Sequence, residues 1–134
     1  MIYKNLKKEK LTTKFINSLQ SILEIIDLET IDGILNSRDS DLFSNLWTKA
    51  RDEIEIEEIN LDAEREKIFK LVFSKTKSDD LSAYITEDFE LITSYIGLKE
   101  NNWVTSLCHS YFNRKIPEGE IEYSNKTLIE LINE

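Results

Sequence analysis

One cysteine, one proline, one histidine and three glycines are all that the 134 residues contain of these types. A lone cysteine rules out an internal disulfide framework, so a reducing compartment fits better than secretion. One cysteine and one histidine cannot complete a zinc site. So few glycines and prolines leave little with which to build the tight turns of a sheet protein, and suit helices instead. No apolar run approaches the roughly 18 residues of a membrane span. The opening stretch, Met1 to Phe15, carries lysines but lacks the apolar centre of a secretory signal. These absences predict a cytoplasmic protein with no membrane partner.

What is present is an ordinary globular balance, 40% apolar and 32% charged residues, in a length suited to one domain over 1–134. The clearest periodicity lies between Ser78 and Pro117. Leu81, Ile85, Phe89, Ile92 and Ile96 recur at three and four, with Tyr84, Leu91 and Tyr95 widening the stripe, which predicts a core-facing helix. Ser78, Asp79 or Asp80 can cap its start, and Gly97 can supply a left-handed stop. Asn101 or Asn102 then caps a second helix through Trp103, Val104, Leu107, Cys108, Tyr111 and Phe112, ended by Pro117. The short link between the two predicts a packed hairpin.

Earlier in the chain, Leu11, Phe15, Leu19, Ile22 and Ile26 predict a helix over about Leu11–Asp27. Thr30–Ser40 is a break, with Ile31, Ile34 and Leu35 able to form a short buried turn. Ser40 or Asp41 opens a helix carrying Leu42, Phe43, Leu46, Trp47, Ala50 and Ile54. Asn60 or Asp62 opens another through Arg65, Ile68, Phe69, Val72 and Phe73. Ser124 or Asn125 caps a last short one through Leu128, Ile129, Leu131 and Ile132. The expected fold is therefore all-α, a single-domain bundle of five to six helices. Its expected core is Phe15, Leu19, Ile22, Leu46, Phe69, Val72, Ile85, Phe89, Ile92, Leu107 and Tyr111.

Net charge is −9, from 26 acids against 17 lysines and arginines. That balance disfavours nucleic acid, whose binding rests on neutralising phosphates. Five lysines among the first fourteen residues, without arginine, make only a weak footprint of that kind. The acids are concentrated: Asp52, Glu53, Glu55, Glu57, Glu58, Asp62, Glu64 and Glu66 stand against the single Arg65, eight against one, a net −7 in fifteen residues. Such a segment is either a solvated face or a patch that steers and docks a basic protein.

Catalytic and cofactor chemistry finds no foothold. Ser106 and His109 share a helical face but no third group orients them. Cys108 and His109 diverge by about 100° around a helix, as do Glu87 and Asp88. Asp39 and Asp41 lack the spacing and glycine of a calcium loop, and no phosphate-cradling glycine loop occurs. The expectation is no enzyme, no metal and no cofactor.

The order Glu87-Asp88-Phe89-Glu90-Leu91-Ile92, then Trp103, Leu107, Tyr111 and Ile116-Pro117, resembles small helical immunity proteins of bacterial toxin systems, nearest to those that guard against contact-dependent growth inhibition toxins. The likeness covers about a quarter of the chain. Such proteins often carry a glycine just before Ile-Pro, where this chain has Asn113-Arg114-Lys115. The resemblance implies a cytoplasmic protein that binds a cognate toxin domain, often basic and often a nuclease, and blocks it without catalysis. The alternative is an acidic helical adaptor for another cytoplasmic protein. Phe89, Ile92, Trp103, Leu107 and Tyr111 lie on apolar stripes and belong to the core. The partner-binding residues expected are Asp52, Glu53, Glu55, Glu57, Glu58, Glu87, Asp88 and Glu90, although Asp88 can instead serve a buried donor such as the Trp103 indole N–H.

Overall fold

The computed structural model describes residues 2–54, 60–98 and 101–134, the first five of these as backbone only. Among them it is helical, without strands: α1 (Ile2–Ile25), a 3-10 turn (Leu28–Thr30), α2 (Ile31–Arg38), α3 (Asp41–Glu53), α4 (Asp62–Thr76), α5 (Asp79–Ser94), α6 (Trp103–Phe112) and α7 (Leu128–Asn133). The described residues thus hold seven α-helices where the periodicity predicts five to six. The added one is α2, which occupies the expected break. Its eight residues include Gly33 and four polar side chains, too short a stripe to read as a helix, yet it buries Ile31, Ile34 and Arg38.

The pattern at the centre of the sequence holds best. Helix α5 buries nine residues and packs against α1, α2, α4 and α6. Its buried face alternates large apolar groups with Ser82, Thr86 and Thr93. The three hydroxyls bond back to the carbonyls of Ser78, Ser82 and Phe89, so each buried polar group is satisfied within the helix. Ser78 caps the start by accepting from Leu81 N–H. The stop is reached before Gly97. The N–H groups of Tyr95 and Ile96 tighten onto the Ile92 and Thr93 carbonyls, ending the helix without a left-handed glycine. Asn102 opens α6 through a capping box with Thr105.

Against that axis α1 supplies Phe15, whose ring lies 5.3 Å from Phe89 and 4.6 Å from Tyr111. Helix α1 begins at Ile2, nine residues before the apolar stripe, so the lysine-rich stretch is helix rather than a free arm. Lys14 folds back: its ammonium donates to the Leu131 carbonyl and sits 4.7 Å from the Phe112 ring, holding α7 onto α1 and α6. Helix α7 is capped by Thr127 in a box with Glu130, three residues later than Ser124. Ser124 is instead buried, its N–H donating to Ser106 Oγ of α6 at 3.1 Å.

Of the expected core, Phe15, Leu19, Val72, Ile85, Phe89, Ile92, Leu107 and Tyr111 are fully enclosed and Ile22 nearly so. Leu46 and Phe69 are half-buried, and Leu42 is 53% exposed. The stripe of α3 is turned so that Phe43 and Ala50 face inward, because the polar group described below draws Trp47 to that side. After α6 the chain reverses at Arg114, with φ 63°, a left-handed conformation taken here without a glycine. Gly119 supplies the next reversal at φ 57°, and a Cβ there would stand 3.0 Å from Ser37 Oγ, so the 117–120 loop rests directly on α2.

Phe89→Ala is expected to cost about 3–5 kcal/mol, the loss for a fully enclosed ring between packed neighbours. Urea unfolding followed by circular dichroism measures it; a loss below about 1 kcal/mol would place that ring on the wrong face.

Candidate functional site

Among the acids of α5, Asp88 is the one that points inward. It is fully buried, and its carboxylate takes four donors. Arg38 of α2 meets it fork to fork, Nη1 to Oδ2 and Nη2 to Oδ1, both at 2.7 Å. Trp47 of α3 donates its indole N–H to Oδ1 at 3.0 Å, and Tyr111 of α6 donates its hydroxyl to Oδ2 at 2.5 Å. Arg38 also donates to the Pro117 carbonyl at 3.1 Å, and its guanidinium lies 4.5 Å from the Phe43 ring and 5.2 Å from the Tyr84 ring. Four helices and the loop after α6 therefore converge on one carboxylate.

The electrostatics follow from the geometry. Burial alone would lower the pKa of Arg38, but the Asp88 charge and its hydrogen bonds raise it further than burial lowers it, so the guanidinium stays charged. Burial and the adjacent Asp88 charge push the Tyr111 hydroxyl well above the usual tyrosine range. Nearer the surface, Tyr84 donates to Asp39 Oδ1 at 2.5 Å, and its pKa is pushed up to about 12, by that bond first and by desolvation next.

This settles where the expected partner-binding residues lie. Asp88 is corrected: it is the enclosed acceptor of the network and not a surface group. A half-buried indole does serve it, but the indole belongs to Trp47 rather than Trp103; the Trp103 ring packs edge-on against Phe43 at 5.2 Å. Glu90 is half-exposed and paired with Arg65 of α4. Glu87 is exposed and, among the described residues, has no ion-pair or hydrogen-bond partner. Its pKa is raised, by desolvation first and then by the charges of Asp88 and Glu90, against smaller lowering by Arg38 and Arg65. Asp52 and Glu53 are exposed on the last turn of α3, with Glu53 reaching Lys49 at 4.0 Å. Glu55, Glu57 and Glu58 lie outside the described residues. Further along the acidic segment, Asp62, Glu64 and Glu66 pair with Arg65, Lys8 and Lys70.

Sequence reasoning missed Arg38. A charged residue in a segment read as a break gives no periodic signal, and only the fold shows it enclosed.

Two cavities open beside the network. One of about 130 Å³ is lined by Arg38, Asp39, Phe43, Ser44, Trp47, Thr48, Tyr84 and Glu87. The other, of about 370 Å³ between α3, α4 and α5, is lined by Trp47, Arg51, Arg65, Glu87, Glu90, Leu91 and Ser94. Trp47 and Glu87 line both. Among the described residues, no group of histidine, cysteine and acidic side chains is arranged to hold a metal ion. None of their helices is long and apolar enough to cross a membrane. Cys108 is buried, and burial pushes its thiol up, away from nucleophilic use.

The family model for Immunity protein PIM1 matches residues 2–118, and the chain belongs to that immunity protein family. Among curated proteins and among solved structures, nothing matches it. The match takes in every residue of the Arg38–Asp88 network and leaves α7 outside.

The enclosed hydroxyl of Tyr111 sets a pH dependence. Its folded pKa is raised above the unfolded value near 10, so the stability it contributes is fully present below about pH 10 and is lost as pH rises beyond. Unfolding free energy should therefore fall above pH 10, with Tyr111 contributing about 1.4 kcal/mol per pH unit. Tyr111→Phe should flatten that decline while costing about 1–3 kcal/mol at pH 8, because Asp88 loses a donor. Denaturant titrations at pH 8 to 11 read both effects. An unchanged slope in the variant would contradict the enclosed hydroxyl.

Proposed function

We propose that this protein binds a cognate bacterial toxin domain and neutralises it without catalysis. The observation that carries this is the Immunity protein PIM1 match over residues 2–118. The acidity of the chain favours a basic toxin domain. A nuclease delivered in contact-dependent growth inhibition has that character and acts in the cytoplasm, where an immunity protein would meet it. The docking face we infer joins Asp52 and Glu53 on α3, the Glu55, Glu57 and Glu58 segment that follows, and Glu87 and Glu90 on α5, with Asp88 excluded by its burial.

Exposed charges of this kind act chiefly on the rate of encounter. The pairs Glu53–Lys49 and Glu66–Lys70 are both exposed and stabilise the fold little, so their acids remain available to a partner's field. Affinity would come from groups that become enclosed on binding, aromatic and arginine anchors above all. Two hydrogen bonds, Trp47 to Asp88 and Tyr95 to the Ala50 carbonyl, tie α3 to α5 and its C-cap and keep that face in one arrangement before the partner arrives, which lowers the ordering cost of binding.

The function predicts that a toxin domain is encoded immediately upstream of this gene, and is tested by expressing that domain with and without the protein. Growth should be restored only in its presence, and the two should co-purify. For the docking face, Asp52→Lys with Glu53→Lys should slow association in stopped flow at low salt. The difference should shrink as the Debye length falls to about 10 Å near 0.1 M salt. Equal association rates at low salt would leave these acids a solvated surface.

A further inference from the structure

Of the three neighbouring acids on α5, the fold uses two internally. Asp88 is consumed by Arg38, Trp47 and Tyr111, and Glu90 is paired with Arg65. Glu87 keeps a carboxylate without a partner among the described residues, at a point that lines both cavities with Trp47. The smaller cavity, about 130 Å³, equals the liquid volume of about four waters. That is room for the end of one side chain and too little for a helix. Its charge is negative: the Arg38 cation is cancelled by Asp88, leaving the carboxylates of Asp39 and Glu87. Its walls include the rings of Phe43, Trp47 and Tyr84 and the hydroxyl-bearing Ser44 and Thr48.

We propose that this cleft between α3 and α5 is the anchor point of the toxin interface, receiving one basic side chain whose cationic head pairs with Glu87 and packs on Trp47, the Phe43 and Tyr84 rings being already covered by the Arg38 guanidinium. The inference rests on the toxin-binding function above and deepens it, because it names the group that supplies affinity rather than steering. A cation suits the site on two counts. Aromatic faces attract cations, the more so once water is excluded. A carboxylate already partly stripped of water, with Asp88 and Glu90 beside it, gains most from an opposite charge. The adjoining larger cavity is lined by Arg51 of α3 and by Arg65 of α4, which is taken by Glu90. The basic residue therefore enters on the side of Asp39 and Tyr84, away from Arg51.

The test compares wild type, Glu87→Gln and Glu24→Gln for binding to the toxin domain encoded immediately upstream. Glu24 is exposed on α1 and stands in neither cavity, so its variant removes the same charge elsewhere. Glu87→Gln should bind at least about 30-fold more weakly, mostly through faster dissociation, as for a desolvated ion pair that loses one partner. Glu24→Gln should stay within about threefold of wild type, and both variants should keep the wild-type melting curve. If Glu87→Gln loses no more affinity than Glu24→Gln, the anchor assignment is overturned while toxin binding stands. If wild type itself does not bind, the toxin-binding function fails and this assignment with it.

Discussion

The arrangement of this bundle depends on one enclosed ion pair, Arg38 with Asp88. Taking two charges out of water is costly, and the attraction between them offsets that cost only when the geometry is good and the remaining polar sites are filled. Here the fork is bidentate at 2.7 Å on both arms, and the indole of Trp47 and the hydroxyl of Tyr111 complete the carboxylate, while Arg38 Nε is left buried without a hydrogen-bond partner among the described residues. Because the donors come from α2, α3 and α6 and the acceptor from α5, the pair can be satisfied in only one mutual placement of those helices. Apolar contacts alone would hold the bundle together with less discrimination among placements. The polar centre also explains local irregularities: the turning of α3 that exposes Leu42, and the seating of the Pro117 carbonyl on Arg38.

That division of labour separates the acids of the sequence into two populations. One neutralises cations of the same chain: Asp88 with Arg38, Glu90 with Arg65, Glu64 with Lys8. The other, with Asp52 and Glu87 among the described residues, faces outward around α3 and α5. Net charge alone does not distinguish them. The network also fixes Trp47 of α3 beside Glu87, the neighbour of Asp88 on α5, because the Trp47 indole donates to Asp88.

Much of this was legible in the residues. The spacing of Leu81, Ile85, Phe89 and Ile92 gave the central helix, and Asn102 its successor's cap, because apolar periodicity and capping are local signals. The likeness resting on Glu87 to Pro117 pointed to an immunity protein, and the family match over 2–118 bears that out at the level of family. What escaped was long-range. Arg38 and Asp88 are 50 residues apart, and nothing in either's neighbourhood states that a charge is to be enclosed. Asp88 sits among Glu87 and Glu90, so it reads as one more surface acid; its turn toward the core follows from the helix's angular phase relative to Phe89 and Ile92. Helix α2 was lost to its shortness and to Gly33. The capping of α7 was misplaced because Ser124, Asn125 and Thr127 are all good caps, and only the Glu130 side chain decides among them.

The central claim is that Arg38 and Asp88 act as a unit, and a double-mutant cycle tests it most directly. Unfolding free energies would be measured for wild type, Arg38→Met, Asp88→Leu and the pair. Each single change leaves an unpaired enclosed charge and should cost about 3–5 kcal/mol. The double change removes both charges and should cost little more than either alone, giving a large coupling energy. Losses that simply add would show two independent side chains, and would contradict the account of how this bundle is held.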